Sequence, residues 1–364
     1  MSKKDLLTVL ICGLFMLLQT SLNAQAQKKS LLSIYGDVRF SYTGTNASLD
    51  NFDNNLLIMR LRPGVKYTLN SNHSFSARAA YRVSNEMEEL DVTAQAIGGG
   101  LSLGQMSFDE FYYQYKIDRF LLKAGRFQHR NKVYSNAGRS IDRFQSNNVN
   151  VHWSDGMYVK KGLTSLWYSE AIFELIEEGQ LAYPYDPPLT FGGNEITPGL
   201  YLGLSNDERD ALNFIQKSFG IQYFYNAYFD GFNNNGNEEY TEYLAFTSRG
   251  VTDYDGGELL KGGSWRFAGE IGYNIQGPVD EGTIFNASVG VNSFAKKHNL
   301  MIEFTKVGDE WISANVYGPN TDEMEIRYIF KYNSKIKIES RLRVRDFRND
   351  GTAYSTFIRG TYKF

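Results

Sequence analysis

Residues 353–364, Ala-Tyr-Ser-Thr-Phe-Ile-Arg-Gly-Thr-Tyr-Lys-Phe, alternate between two kinds of side chain and stop on an aromatic residue. One face of this segment carries Tyr354, Thr356, Ile358, Gly360, Tyr362 and Phe364, and the other carries Ser355, Arg359, Thr361 and Lys363. A period of two is the signature of a β-strand whose faces meet different surroundings. The segment therefore predicts a strand that lies between an apolar and a polar medium.

The same alternation recurs along the chain in segments of about ten residues, which is the length of a tilted strand that crosses a bilayer. The clearest segments are 34–42, 59–68, 75–83, 265–275, 324–332 and 336–345. Only a closed barrel satisfies the backbone groups of such strands in lipid. We therefore predict an all-β fold, a transmembrane antiparallel β-barrel. Single-chain bacterial barrels have even strand numbers, so we expect about 16 strands.

Connections of two lengths separate these segments, as expected for short periplasmic turns and long extracellular loops. The predicted short turns are Asn70–His73, Ile117–Arg119, Ala295–Asn299 and the two-residue turn Asn333–Ser334. The predicted long loops are 84–105, 128–147, 176–212, 248–263 and 308–322. The pattern leaves Ser165–Glu178 open between a strand and a short helix.

The first residues have the three parts of a secretory signal peptide. Two lysines precede an apolar run from Leu6 to Leu18, and Ala24-Gln25-Ala26 follows as a cleavage site. This predicts a signal peptide over 1–26, one barrel domain over 27–364, and a location in the bacterial outer membrane. The apolar run is too short for a transmembrane helix.

Composition agrees with a barrel. The chain has 25 Tyr and 25 Phe, yet its mean hydropathy is −0.40, so apolar residues are dispersed among polar ones. A formal charge of −3 excludes a strongly basic nucleic-acid binder. A periplasmic β-sandwich or propeller also alternates, but charged inner faces are unfavourable in a dry core.

Four segments carry a resemblance to a known family. The stretch 108–115, the turn 117–119, the stretch 121–127 and the opening stretch 34–40 resemble the phosphate-selective porin (porin O/P-like) family. That resemblance implies a trimeric outer-membrane channel of roughly 16 strands. The terminal Phe364, with Tyr362 before it, resembles the signal that outer-membrane barrels present to their insertion machinery.

Basic residues recur on the predicted inner faces, where they would raise the local concentration of anions. The pore-lining candidates are Arg60, Arg62, Lys66, Arg78, Arg82, Arg341, Arg343 and Arg345. An alternative role is that they pair with carboxylates and stabilise the wall. If the 128–147 loop folds inward, basic residues around it are constriction candidates: Arg126, Arg130, Lys132, Arg139 and Arg143.

These features predict a porin for passive diffusion of small polar solutes, with an anion preference that includes phosphate. Expected partners are outer-membrane lipid, small anionic solutes, the insertion machinery and two further copies of the chain. No nucleic acid, cofactor, metal or catalytic role is predicted. One alternative is a barrel enzyme, since His152 and Ser154 resemble part of an outer-membrane phospholipase motif without the third group of a triad. Another is a closed structural or adhesive barrel.

Overall fold

A computed structural model describes most of the chain after residue 30. The described residues are 31–47, 52–85, 91–92, 105–128, 153–177, 196–206, 210, 212–229, 239–276, 282–308, 311, 320–348 and 351–364. The predicted signal peptide lies outside them.

Strands dominate the described residues. They are β1 (Leu32–Ala47), β2 (Phe52–Thr68), β3 (His73–Ser84), β4 (Asp91–Val92), β5 (Gln105–Ile117), β6 (Phe120–Phe127), β7 (Ser154–Gly162), β8 (Trp167–Glu177), β9 (Ile196–Asn206), β10 (Phe214–Phe229), β11 (Glu239–Asp255), β12 (Ser264–Gln276), β13 (Thr283–Phe294), β14 (His298–Val307), β15 (Thr321–Lys331), β16 (Ile336–Phe347) and β17 (Gly351–Lys363). One 3-10 helix, Gly257–Leu260, follows β11. No helix in the described part of the chain is long and apolar enough to cross a membrane.

Sixteen of these strands form a closed antiparallel barrel. Each pairs with its neighbours in sequence, and β1 pairs with both β2 and β17, which closes the sheet. The two-residue β4 pairs in parallel with β5, while β3 pairs directly with β5, so β4 stands outside the barrel cycle. The predicted fold and strand number are confirmed.

The last residues of the chain complete the closure. The pairing of β17 with β1 runs from Asp37 opposite Lys363 to Ala47 opposite Ala353. The amide of Gly36 donates to the Phe364 carbonyl at 3.1 Å, and the Phe364 amide donates back at 3.2 Å. The Phe364 ring covers Gly36 so closely that a Cβ there would lie 2.6 Å from it. Glycine at position 36 therefore leaves room for the Phe364 ring where β17 pairs with β1.

The two faces of the wall differ as the sequence pattern predicts. On β12, Ile271 and Tyr273 are 58% and 56% exposed, whereas Glu270 and Asn274 are 3% and 4% exposed. Apolar side chains thus point outward and polar side chains point into the barrel. An outward apolar surface around a closed sheet is the arrangement that spans a membrane.

Four predictions about connections need correction or completion. The predicted loop 176–212 contains the strand β9, because Leu202 and Leu204 continue the outward face in spite of Pro198 and the glycines around it. The predicted loop 248–263 is wrong, since β11 continues to Asp255 and the remainder is a short connection.

The other two concern shorter segments. The predicted two-residue turn at Asn333 is a connection over 332–335, in which the Asn333 side chain accepts from the amides of Lys335 and Ile336 at 2.8 Å each. The ambiguous segment Ser165–Glu178 forms the strand β8.

Candidate functional site: the charged wall of the lumen

A β-bulge in β5 places two consecutive acids inside the barrel. Arg78 of β3 pairs with Glu110, but the next residue, Ala79, pairs with Phe108, so Asp109 is an extra residue on β5. Phe108 and Phe111 both point outward, at 55% and 68% exposure, while Asp109 and Glu110 are both buried. A regular strand would place the two acids on opposite faces; the bulge brings both to the lumen.

The Asp109 carboxylate connects two strands of the wall. Arg78 donates to it from Nε at 2.9 Å and from Nη2 at 2.8 Å, and Arg62 of β2 donates from Nη1 at 3.2 Å. The Gln128 side chain accepts from both guanidinium groups at 2.7 Å. Arg78 also contacts Glu110 at 2.8 Å. Two of the predicted pore-lining arginines are therefore held in place by carboxylates.

Asp37 of β1 is the second anionic centre. It accepts from Arg60 at 2.8 Å, forms an ion pair with Arg62, and lies 3.5 Å from the Nε of Arg39. The register places Arg39 opposite Arg60, and Arg60 opposite Arg82 of β3. Three arginines thus form a row across three adjacent strands. Like charges directly opposite each other repel, and the Asp37 carboxylate, which contacts Arg39 and Arg60, offsets part of this repulsion.

Strands β15 to β17 carry a third group around Glu339. This carboxylate contacts Arg359 at 2.6 Å, Arg341 at 3.0 Å, Lys337 at 3.2 Å and Arg327 at 3.6 Å. Four cations thus surround one acid.

The same strands also hold pairs that run directly across the sheet. Arg343 lies opposite Glu325 and contacts it at 2.7 Å, and Arg345 lies opposite Glu323 and contacts it at 2.6 Å.

Phe357 lies between two of these arginines. The Arg341 guanidinium is 3.9 Å from the ring centroid, and that of Arg359 is 5.5 Å away. Both arginines are buried, yet Nη2 of Arg341 and Nε and Nη1 of Arg359 have no acceptor among the described residues. Nε of Arg60 also has no acceptor among the described residues. Buried donors of this kind are available to an anionic oxygen.

We call the charged inner surface of β14 to β17, β1 to β3 and β5 the basic arc. Its buried or ion-paired cations are Arg39, Arg60, Arg62, Arg78, Arg82, Arg327, Lys337, Arg341, Arg343, Arg345 and Arg359. Its acids are Asp37, Asp109, Glu110, Glu303, Glu323, Glu325 and Glu339. Among these buried or ion-paired residues, eleven cations against seven carboxylates leave four excess positive charges.

The rest of the inner wall differs in character. In its described part, Arg249 contacts Glu270 at 2.8 Å and Arg266 contacts Asp253 at 2.8 Å. An apolar cluster lies on β6 to β9 and includes Phe127, Tyr158, Ile172 and Tyr201. Among the described residues, the excess positive charge therefore lies on the basic arc.

The predicted pore-lining residues, Lys66 included, all lie on inward faces of the basic arc. Arg126 requires correction: it lies in the strand β6, not in a loop, and its guanidinium binds Asp155 of β7 at 2.8 and 2.9 Å. The glycine before it, Gly125, has a φ of +115° that interrupts the regular strand. The other constriction candidates lie outside the described residues: Arg130, Lys132, Arg139 and Arg143.

Sequence reasoning missed some members of this wall. Arg39 and Arg327 were not among the candidates, and neither were the acids that contact them. The enzymatic alternative involves Ser154, whose hydroxyl donates to Glu174 at 3.1 Å, and His152, which lies outside the described residues.

Comparison with solved structures shows a shared fold. The chain is similar to Pseudomonas putida OprB at high pH, with a TM-score of 0.60, 11% identity, and coverage of 92% of this chain and 94% of that one. It is similar to Salmonella typhi OmpF in complex with daunomycin, with a TM-score of 0.55, 11% identity, and coverage of 92% and 97%. For Pseudomonas aeruginosa OpdL the TM-score is 0.53 and the identity 10%, with coverage of 92% and 98%.

No protein-family model and no curated protein matches the chain. The structural likeness shows that the molecule has the barrel fold of these outer-membrane porins. At such low identity, the structural likeness gives no information about which solutes this protein binds or passes.

Proposed function

We propose that this barrel is a water-filled channel for passive diffusion of small solutes and that it prefers anions, phosphate among them. The observation that carries the proposal is the arginine row Arg39, Arg60 and Arg82, in register on adjacent strands. Buried polar groups need hydrogen-bond partners, so the donors of Arg60, Arg341 and Arg359 that have no acceptor among the described residues favour water or ions in the lumen. An excess of fixed positive charge raises the anion concentration there.

Phosphate suits the geometry because its oxygens accept several charge-assisted hydrogen bonds at once. Arg341 and Arg359 both lie near the Phe357 ring, and they offer donors that have no acceptor in the described part of the wall. The carboxylates of the basic arc position the guanidinium groups and lower the net charge. A solute therefore meets oriented hydrogen-bond donors on a wall whose positive charge is partly neutralised by carboxylates.

Planar-bilayer recordings across a salt gradient test the proposal. We expect stepwise conductance with a reversal potential that indicates anion selectivity. The ratio of phosphate to chloride permeability should exceed the ratio of their mobilities in bulk water. A cation-selective reversal potential would contradict the anion preference. The absence of any single-channel steps would instead favour a closed structural barrel.

We also propose a homotrimer that the insertion machinery recognises through Phe364. A groove of about 770 Å³ on the outer wall, where Gly44 lies opposite Thr356, supports a protein contact at that surface. Native mass spectrometry should give the mass of three chains; a monomer alone would contradict the trimer. The variant Phe364→Ala should refold in detergent yet accumulate less in outer membranes.

A further inference from the structure

The barrel end that carries the short turns has two matching histidine–tyrosine pairs on its outer surface. His73 begins β3 and lies opposite Tyr115, while its Nδ1 contacts the Tyr113 hydroxyl at 2.5 Å. His298 begins β14 and lies opposite Phe330, while its Nδ1 contacts the hydroxyl of Tyr328 at 2.7 Å. Aromatic groups at strand ends on the outward face mark the level of the lipid headgroups.

The two pairs differ in the charge beside them. The turn before His73, residues 69–72, has no basic residue. The turn before His298 holds Lys296 and Lys297, and the adjoining connection 332–335 holds Lys335. All three lysines are exposed, and neither turn contains an acidic residue. Basic residues lie near the first pair as well, since the amide of the exposed Lys116 donates to the Asn72 carbonyl at 2.8 Å and Arg119 follows β5. The second pair differs in carrying two lysines within its own turn, directly before the histidine.

The local geometry joins these turns into one surface. The Lys331 amide donates to the Lys297 carbonyl at 2.8 Å, which ties the two connections together. The Lys297 ammonium lies 5.5 Å from the centroid of the Tyr332 ring, which is 58% exposed. The His298 ring stacks on that of Phe330 at 5.2 Å. The next outward residue of β14, Leu300, is 49% exposed and belongs to the apolar surface.

From this arrangement we infer that Lys296, Lys297, His298, Tyr332 and Lys335 form a binding site for the phosphate headgroup of an anionic phospholipid in the periplasmic leaflet. In the tautomer with its proton on Nε2, the His298 ring accepts from the Tyr328 hydroxyl through Nδ1 and can donate to a phosphodiester oxygen. The lysine ammonium groups add the attraction that separates an anionic lipid from a zwitterionic one. The site lies on the outer surface and does not depend on the proposed channel function.

Native mass spectrometry of the intact barrel from nanodiscs tests this inference, with equal amounts of phosphatidylglycerol and phosphatidylcholine as the probes. Wild type should retain phosphatidylglycerol over phosphatidylcholine by about tenfold or more, since each interfacial lysine contributes roughly fivefold at low salt. The variant K296Q/K297Q/K335Q should lose most of that preference. Equal retention of the two lipids by wild type would overturn the inference, whatever the channel conducts.

A charge-matched variant, K116Q/K161Q/K306Q, removes three other exposed lysines. It should keep the lipid preference of wild type. If it loses as much as K296Q/K297Q/K335Q, overall charge governs binding and the inference is wrong. The band shift on heating in SDS gels checks that each variant is folded, and His73→Gln, at the pair whose own turn holds no lysine, should leave the preference unchanged.

Discussion

Removal of Arg341 should weaken anion selectivity without loss of the fold. In Arg341→Gln, Glu339 keeps contacts with Arg359, Lys337 and Arg327, so no carboxylate is left unpaired. A unit charge about 5 Å from a passing ion is worth about 0.8 kcal/mol in water. Screening at 0.1 M salt lowers this to about 0.5 kcal/mol. Because the anion loses and the cation gains this amount, the permeability ratio should fall by about fivefold.

The assay is the reversal potential across a tenfold gradient of potassium chloride centred near 0.1 M. The variant Arg341→Lys keeps the charge and should remain close to wild type, although it loses the stacking on Phe357. Near 1 M salt the effect of Arg341→Gln should fall below about twofold, because the Debye length is then only about 3 Å. An unchanged reversal potential at low salt would refute the reasoning. So would an equal change in Arg348→Gln, which lies at the end of β16 beside Asp322.

Three further outcomes are expected. Gly36→Ala should reduce the yield of folded barrel in SDS gels, because the new methyl group would lie 2.2 Å from a carbonyl oxygen of the neighbouring strand. Gly360→Ala is the control and should fold normally, because a methyl group at that position has no atom within 4 Å. Asp109→Asn should lower the free energy of unfolding, measured in urea, by about 2–4 kcal/mol, because the carboxylate is fully buried between two arginines. A loss below about 0.5 kcal/mol would show that the Asp109 carboxylate does not stabilise this part of the wall. The hydrogen bond from Lys217 lowers the pKa of Asp210, which lies in the connection between β9 and β10. The stabilisation from this ionised carboxylate is therefore complete above the ordinary aspartate pKa and is lost as the pH falls through the lowered pKa. A carboxyl titration by NMR should show that the pKa of Asp210 rises in Lys217→Gln.

The wall strands were predictable where alternation is uninterrupted. On β12, every second residue from Trp265 to Ile275 points outward except at Gly269, and the sequence shows this directly. The strand β9 was missed because Pro198 and the glycines at 199 and 203 break up its pattern. Those residues form a strand because neighbours on both sides supply hydrogen bonds, which is information that a single segment lacks.

The functional wall was predictable only in part, for a related reason. Alternation tells which residues share a face, so the inward arginines of β2, β3 and β16 were visible in the sequence. It does not tell which residues of neighbouring strands lie opposite each other. The pairing of Arg343 with Glu325, and the row formed by Arg39, Arg60 and Arg82, depend on register and appear only in the structure.

The bulge at Asp109 also makes this part of the wall tolerant of a change in chain length. One residue inserted into or deleted from a regular strand turns every following side chain to the other face. Here the extra residue is absorbed locally, since Tyr112 still lies opposite Ser76 and Tyr113 opposite Phe75. A chain without Asp109 could therefore keep the same lipid-facing surface while the lumen loses one negative charge. At this point of the barrel, the ionic character of the interior can vary between related chains independently of how the outside fits the membrane.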